Sequence, residues 1–478
     1  MRESKKRRIF PLLCLLALLA LPACNSAGDP DLPPEPDEGV LVYAALNPLS
    51  DVVQGAVKRF NAAHEDVQIE VRDYSDENGP QRLLTELMLG QVPDVMEMYR
   101  LGEGNSDRAW NYNPINRAGR PEGEYLMPYR QLTQKGYLED LWPYIENDPE
   151  LGREGVLEAP LRAAEINGGL YMIFPEVSVT TLIGPQHIVG DRSGWTLEEL
   201  METFSSMPED STILRYDATR SDMFFGLFLP SLEQYVDWET GQCSFDSEGF
   251  REILTFLEAF PSEFETTLSQ ETVDAEIAER MVGGKQMLEV RSVELLRDIS
   301  SMDLTFLAPA SIVGFPTTDG GLGSYFNPHG ARLAMSSACG NKEAAWDFIR
   351  QIIAKKYDYK MVMEMCRMRQ IHIPVVRKTF ELTCENDMRE VPFWLGRDGP
   401  NHAYYHDGPT YDIETPDEDD LQRYEALINN TTRLYWPDDA LSELIWEAIG
   451  PYFAGDRTLD DTIGLLGNRV GLYLNEQK

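Results

Sequence analysis

Residues 40–98 read VLVYAALNPLSDVVQGAVKRFNAAHEDVQIEVRDYSDENGPQRLLTELMLGQVPDVMEM, and their periodicity decides the fold class. Val40-Leu41-Val42-Tyr43-Ala44 is a short unbroken apolar run, the pattern of a buried strand. Asn47-Pro48 opens a helix in which Val52, Val53, Ala56, Val57 and Phe60 recur at helical spacing. Val67, Ile69 and Val71 alternate with polar residues, which predicts a strand. Gly79 to Gly90 predicts a second helix, with Leu83, Leu84, Leu87 and Met88 on one face and Gly90 as its stop. Pro93-Asp94-Val95-Met96-Glu97-Met98 predicts the next strand, with Asp94 as a strand-end hydrogen-bonder. Strands and helices alternating in this way imply βαβ units and a mainly parallel sheet. In such sheets ligands sit beyond the carboxyl ends of the strands, which marks the loops Ala45 to Pro48 and Met98 to Gly102.

The grammar continues downstream. Leu170 to Phe174 and Val179 to Ile183 predict strands, and Thr196 with Glu199 forms a capping box at a helix start. Phe250 to Phe260 and Glu289 to Met302 read as amphipathic helices or as segments that include them. Ala331 to Ser336 predicts a strand, and Asn341 caps a helix through Ala345, Trp346, Phe348, Ile349 and Ile352. From about Asp417 the chain reads as mostly helical, with stops at Gly450 and Gly455. Trp195 and Trp346 read as core, and so does Trp238 in its turn-rich motif.

The whole chain has 478 residues, 42 Lys+Arg and 80 Asp+Glu, a net charge of −38. At 42% hydrophobic and 10% aromatic it is too apolar for a disordered acidic polymer, so it folds. Two or three cores are expected at ~150 residues per domain. The acid excess opposes binding to nucleic acid.

The N-terminus reads as an export signal: Arg2, Lys5, Lys6, Arg7 and Arg8 precede the apolar run Ile9 to Leu21. That run is too short for a standard spanning helix. Leu21-Pro22-Ala23-Cys24 resembles a bacterial lipobox, which implies cleavage ahead of a lipid-modified Cys24. Removing residues 1–23 takes away five basic residues and one acid, leaving a mature charge of −42. Pro30, Pro33, Pro34 and Pro36 stiffen residues 24–39 into a tether. Of the remaining cysteines, Cys243, Cys339, Cys366 and Cys384 show no C-x-x-C spacing and read as buried thiols.

Several motifs occur together and in order: the lipobox; Ala56-Val57-Lys58-Arg59-Phe60-Asn61; Gly90-Gln91-Val92-Pro93-Asp94-Val95; Asn167-Gly168-Gly169-Leu170-Tyr171; Gly194-Trp195-Thr196-Leu197-Glu198-Glu199-Leu200; Asp237-Trp238-Glu239-Thr240-Gly241; Gly284-Lys285-Gln286-Met287; and Asn341-Lys342-Glu343-Ala344-Ala345-Trp346. With them the mature chain resembles the extracellular solute-binding proteins of ABC importers (family 1, carbohydrate-type). The resemblance implies an α/β, periplasmic-binding-protein-like fold of type II, with two lobes and a ligand cleft between them. It implies a discontinuous N-terminal lobe at 40–174 plus 328–375, and a C-terminal lobe at 175–327 plus 376–478. It implies a monomer on the outer face of the cell membrane that captures a small solute, a mono- or oligosaccharide, by lobe closure and delivers it to permease subunits. The ligand contacts it implies are Asn47, then Met98, Tyr99 and Arg100, then Glu176 at the first crossing, Arg291 and Ser292 after the strand that follows Gly-Lys-Gln-Met, and Tyr325 and Phe326 near the return crossing.

Enzyme signatures are missing from the sequence: there is no His-Glu-x-x-His, Gly-x-Ser-x-Gly, phosphate loop or Gly-x-Gly-x-x-Gly. His402 and His406 fall in a stretch that reads as a loop, so neither a metal nor any cofactor is expected. Two rival readings remain: an exported hydrolase acting on polysaccharide, and a solute sensor for a membrane kinase.

Overall fold

The computed structural model describes residues 39–48, 50–100, 125–228, 232, 234–262, 270–354, 371–389 and 414–477. The signal segment, Cys24, the prolines of the tether, Cys366, His402 and His406 lie outside the described residues.

Strand β1 (Val40–Ala45), helix α1 (Asp51–Ala63), strand β2 (Gln68–Asp73), helix α2 (Gly79–Met88) and strand β3 (Val95–Glu97) follow in the expected order. β1 pairs in parallel with both β2 and β3. Helix α1 buries Val53, Ala56 and Phe60. The Phe60 ring meets Phe348 edge-on at 5.9 Å, and Phe348 meets Tyr43 at 5.3 Å, so β1, α1 and the helix Lys342–Ile353 close one core. Burying each such ring contributes roughly 1.5–3 kcal/mol. Asp94 receives the Val42 N–H at 2.8 Å, as its strand-end position suggested.

A second sheet is built on β4 (Glu176–Pro185), which pairs antiparallel with β5 (Glu289–Val293), β6 (Ala310–Ile312) and β7 (Tyr325–His329). The chain then returns to the first sheet as β8 (Leu333–Met335), antiparallel to β3. Strand β9 (Ile373–Pro374) comes back to β4, and β10 (Arg433–Leu434) lies parallel to β7. Side chains alternate across a strand. In β4 that alternation sends Val177, Val179 and Ile183 into one apolar cluster and Leu182 into another. The first cluster holds the first sheet with α1 and the helices Lys342–Ile353, Arg377–Asp387 and Glu418–Asn430. The second holds Leu197–Ser205, Glu248–Leu257, Asp439–Phe453 and Leu459–Glu476. Two α/β lobes result.

Local chemistry sets the ends. Thr196 Oγ1 accepts the Glu199 N–H at 3.2 Å while Glu199 Oε2 accepts the Thr196 N–H at 2.8 Å, completing the expected capping box. Asn341 Oδ1 accepts the Ala344 N–H at 3.1 Å.

Three elements differ from expectation. Glu289 to Met302 includes the helix Leu296–Ser300 but is not helical throughout, since its first five residues are strand β5. The unpaired side of β4 takes those five residues into a ladder, which outweighs the helical spacing of Val290, Val293, Leu296 and Ile299. Leu170 to Phe174 contributes only the two-residue strand Gly169–Leu170 and an isolated bridge from Ile173 to Leu333. Gly450 does not stop its helix, which runs Asp439–Phe453 through Pro451. Ile445, Ala448, Ile449, Tyr452 and Phe453 keep entering the second cluster across it, so burial overrides the local breakers. Cys243, Cys339 and Cys384 carry free thiols.

Candidate functional site

The nine sequence-predicted contacts fall into separate places. Asn47, Met98, Tyr99 and Arg100 lie at the carboxyl ends of β1 and β3. The buried carboxylate of Glu97 gathers this corner: its Oε2 accepts the N–H of Leu46 at 2.7 Å, the N–H of Asn47 at 2.5 Å and Asn47 Nδ2 at 3.2 Å. Asn47 Nδ2 also donates to the Tyr99 carbonyl at 2.7 Å. Met98 is fully buried. Tyr99 and Arg100 are not loop residues; they pair with Tyr125 and Leu126, and the Arg100 Nε donates to the Ser75 carbonyl at 2.6 Å. The Arg332 guanidinium lies 3.7 Å above the Tyr99 ring.

Arg291 and Ser292 sit within β5, not after it, because the strand extends through Val293. Ser292 and Tyr325 are both register partners of Thr180, from opposite sides of β4. Arg291 donates to Ser301 Oγ at 3.3 Å. Tyr325 is stacked between Phe315 and Tyr435, at 5.5 and 5.2 Å, and burial pushes its phenol up. Phe326 is fully buried.

Glu176 belongs to a cluster where β4, β7 and β9 meet. The His329 and His372 rings stack at 3.7 Å and 4°. Ser178 Oγ lies 3.0 Å from His329 Nε2, and Glu176 lies 3.3 Å from His372 Nδ1. Gly330 turns the chain from β7 to β8 at φ +72, and a Cβ there would come within 2.6 Å of Pro175, so this corner requires glycine. Burial, then the charges of His372 and Arg332, pull His329 well below the ordinary imidazole value. Burial also pulls His372 down, but its bond to Glu176 and the charges of Glu294 and Glu176 outweigh burial and the Arg332 charge, so its net shift is upward. The first proton the stack takes up therefore goes to His372. His372 adds stability that is full below the unfolded value of about 6.5 and fades as pH rises through its raised value. His329 removes stability as pH falls below about 6.5. In a histidine NMR titration, His372 is expected to titrate above the free imidazole value and His329 well below it. Two rings titrating together near 6.5 would contradict this assignment.

A cavity of about 340 Å³ lies elsewhere, lined by residues packed against both clusters. One wall is the segment Tyr125 to Gln131 with Ala163 to Ile166; the other is Thr432 to Asp438 with Trp238 and Tyr473. Each wall has a local cause. Asn167 and Gly168, both at positive φ, form the two-residue hairpin turn that puts Glu165 on the rim. Glu165 accepts the Trp142 indole N–H at 2.7 Å. Tyr129 is anchored by donating to the Ala164 carbonyl at 2.7 Å. On the opposite wall, Asp438 caps the helix Asp439–Phe453 by accepting the Leu441 N–H at 2.9 Å. Its other oxygen accepts Gln131 Nε2 and the Tyr473 hydroxyl, each at 2.7 Å, which ties the two walls together. Trp436 donates its indole N–H to the Met127 carbonyl at 3.0 Å and meets Tyr129 edge-on at 6.4 Å.

Trp238, read from sequence as core, packs against the second cluster and also lines this cavity. It sits in the turn between Val236–Asp237 and Gln242–Cys243, which Asp237 stiffens by accepting the N–H groups of Glu239 and Thr240 at 3.0 and 2.9 Å. The Arg130 guanidinium lies 5.0 Å over its ring. None of the nine sequence-predicted contacts lines the larger cavity. Tyr325 lines a smaller adjoining one of about 50 Å³, which shares Arg433, Leu434 and Trp436 with it. Arg130, Gln131, Trp436, Asp438 and Tyr473 were not singled out from sequence. One signal was available: Trp436 stands just before Pro437 and the N-cap Asp438, outside any helical stripe that could bury it.

No grouping of three or more His, Cys, Asp or Glu side chains suited to a metal occurs among the described residues. No described helix is long and apolar enough to cross a membrane.

No protein-family model matches the chain, and no curated relative matches it. Solved structures do. A periplasmic oligogalacturonide binding protein from Yersinia enterocolitica superposes with a TM-score of 0.52 at 15% identity, covering 92% of this chain and 99% of that one. The sugar-binding protein MalE from the phytopathogen Xanthomonas citri gives 0.50 at 13% identity, covering 91% and 98%. A de novo designed cysteine esterase gives 0.51 at 13% identity, covering 91% and 98%. These likenesses establish the fold as the two-lobed, periplasmic-binding-protein-like one.

Proposed function

We propose that the protein is the lipid-anchored, extracellular solute-binding component of an ABC importer, which takes up a small carbohydrate between its lobes and presents the closed form to a membrane permease. The observation that carries this reading is the cavity of about 340 Å³ lined by residues packed against both apolar clusters. Its walls combine ring planes (Tyr125, Trp238, Trp436 and Tyr473) with Arg130, Gln131, Glu165, Arg433 and Asp438. A pyranose has apolar C–H faces and a polar rim, so it needs flat apolar surfaces together with side chains that donate and accept hydrogen bonds. A ligand touching both walls binds the closed form better than the open one and shifts the population toward it. The solved neighbours named for oligogalacturonide and sugar binding support the same solute class. Anchoring through Cys24, the lobe boundaries 40–174 plus 328–375 and 175–327 plus 376–478, a monomeric state and delivery to permease subunits belong to the proposal.

A thermal-shift panel of mono- and oligosaccharides tests it. A ligand at a hundred times its dissociation constant adds about 2.7 kcal/mol to stability. The expected result is a rise in melting temperature with at least one sugar that is recovered chemically unchanged, together with a smaller radius of gyration in scattering. Cleavage of that sugar would favour the hydrolase reading, and a panel with no response would remove the carbohydrate assignment.

A further inference from the structure

We infer that the solute this cavity takes is acidic: an oligosaccharide bearing a carboxylate, which docks on Arg130 beside Trp238. The inference rests on the solute-binding reading above and adds the charge class to it.

The argument comes from how the charged side chains of the cavity are answered. Two carboxylates line it, and the protein satisfies both. Asp438 is taken by the Gln131 amide, the Tyr473 hydroxyl and the N-terminus of the helix it caps. Glu165 is taken by the Trp142 indole N–H and feels the positive charge of Arg153, whose guanidinium lies 4.4 Å over that same indole. Arg130 is different. Its contact is the face of Trp238, and no carboxylate pairs with it among the described residues. The Trp238 indole N–H is itself buried and has no acceptor among the described residues. The guanidinium, held 5.0 Å over the indole ring, presents a donor set with no carboxylate among the described residues to receive it. A solute carboxylate fills that place and matches the guanidinium fork. Arg433 adds a second cation to the lining. The acidic surface elsewhere does not forbid an anion, because charges more than about 8 Å away are largely screened at physiological ionic strength.

The test is titration calorimetry of the full mature chain with trigalacturonate and with its methyl ester, a pair that differs in charge and little in shape. The acid is expected to bind about tenfold tighter than the ester or better. Arg130→Gln is expected to lower affinity for the acid by about tenfold to a hundredfold and affinity for the ester by less, so that the preference for the acid shrinks. Arg130→Lys restores only part of the loss, because a point charge does not reproduce the bidentate fork. An unchanged melting curve for the free variant establishes that it folds. Equal or tighter binding of the ester, or an Arg130→Gln variant that binds the acid normally, overturns the inference and leaves the solute-binding reading standing if the ester still binds. If neither compound nor any neutral sugar binds, the solute-binding reading fails and the inference falls with it.

Discussion

Asp387→Ala is expected to flatten the fall in stability that the wild type shows as pH rises from about 4 to about 6. Asp387 ends the helix Arg377–Asp387 and faces Arg297 on the short helix Leu296–Ser300, with both side chains almost completely buried. The carboxylate lies 3.8 Å from the guanidinium and accepts the Arg297 backbone N–H at 3.2 Å. Removing it takes one carboxylate away from a buried guanidinium that cannot shed its proton. Burial pushes the Asp387 carboxyl up to about 6, against the charge and N–H of Arg297, which pull it down. The folded state therefore binds this proton more tightly than the unfolded chain does. In the wild type stability therefore falls as pH rises from about 4 to about 6.

The two single variants consequently differ in their own pH curves. Asp387→Ala lacks the step between pH ~4 and ~6. Arg297→Leu keeps the step, enlarges it and moves it toward neutral pH, since the lone buried carboxyl escapes its penalty by taking a proton. The double variant Arg297→Leu/Asp387→Leu recovers much of either loss, because a buried pair exchanged for apolar groups is often neutral. Chemical denaturation at pH 5.5 and pH 8 separates these cases. A step between pH ~4 and ~6 that survives in Asp387→Ala, or the same pH slope in both single variants, contradicts the account.

What could be read from sequence was what local periodicity and capping determine. The β1-α1-β2-α2-β3 unit emerged because each element buries one face and ends on its own signal. At Gly90, for instance, φ is +80, the left-handed conformation that the stop requires. The segment Glu289–Val293 was hidden because its apolar spacing suits a helix as well as a strand, and only the free side of β4 decides between them. The helix through Gly450 was hidden for the same kind of reason, since its continuation is decided by the cluster it enters.

The cavity was the least legible part. Arg130, Glu165, Trp238, Asp438 and Tyr473 come from five separated segments and carry no common motif. Trp238 was noticed but placed in the core, because packing and ligand-facing roles leave the same trace in one sequence. Its two contacts, Arg130 at 5.0 Å and Tyr473 at 6.5 Å, exist only after the lobes form. The corner at Asn47 and Tyr99 was located correctly at the carboxyl ends of the strands. The residue that organises it, Glu97, was read only as part of a strand.

Glu97 is where the second large effect is expected. Glu97→Ala removes one carboxylate oxygen that holds the Leu46 N–H, the Asn47 N–H and the Asn47 amide together. Glu97 is 1% exposed, so water does not readily replace it at those donors. Bonds from neutral donors to a charged acceptor are worth about 1.5–3 kcal/mol each, and relief of the buried charge returns part of that, which leaves a net loss of about 3 kcal/mol. Burial raises the Glu97 carboxyl, and the nearby Tyr43 hydroxyl and the N–H groups of Asn47 and Leu46 oppose the rise, so the environment strains against this charge while using it. Glu97→Gln keeps an acceptor for the backbone donors and is expected to lose less than half as much as Glu97→Ala. The consequence is local as well as global. Asn47 also holds the Tyr99 carbonyl at 2.7 Å, so the loop after β1 and the strand carrying Tyr99 separate once Glu97 is gone. Hydrogen exchange is expected to rise first at the amides of Leu46 and Asn47, while amides in β5 keep their protection. Exchange rising equally across both sheets would mean that Glu97 acts only through global stability, and that this corner is not held by its carboxylate.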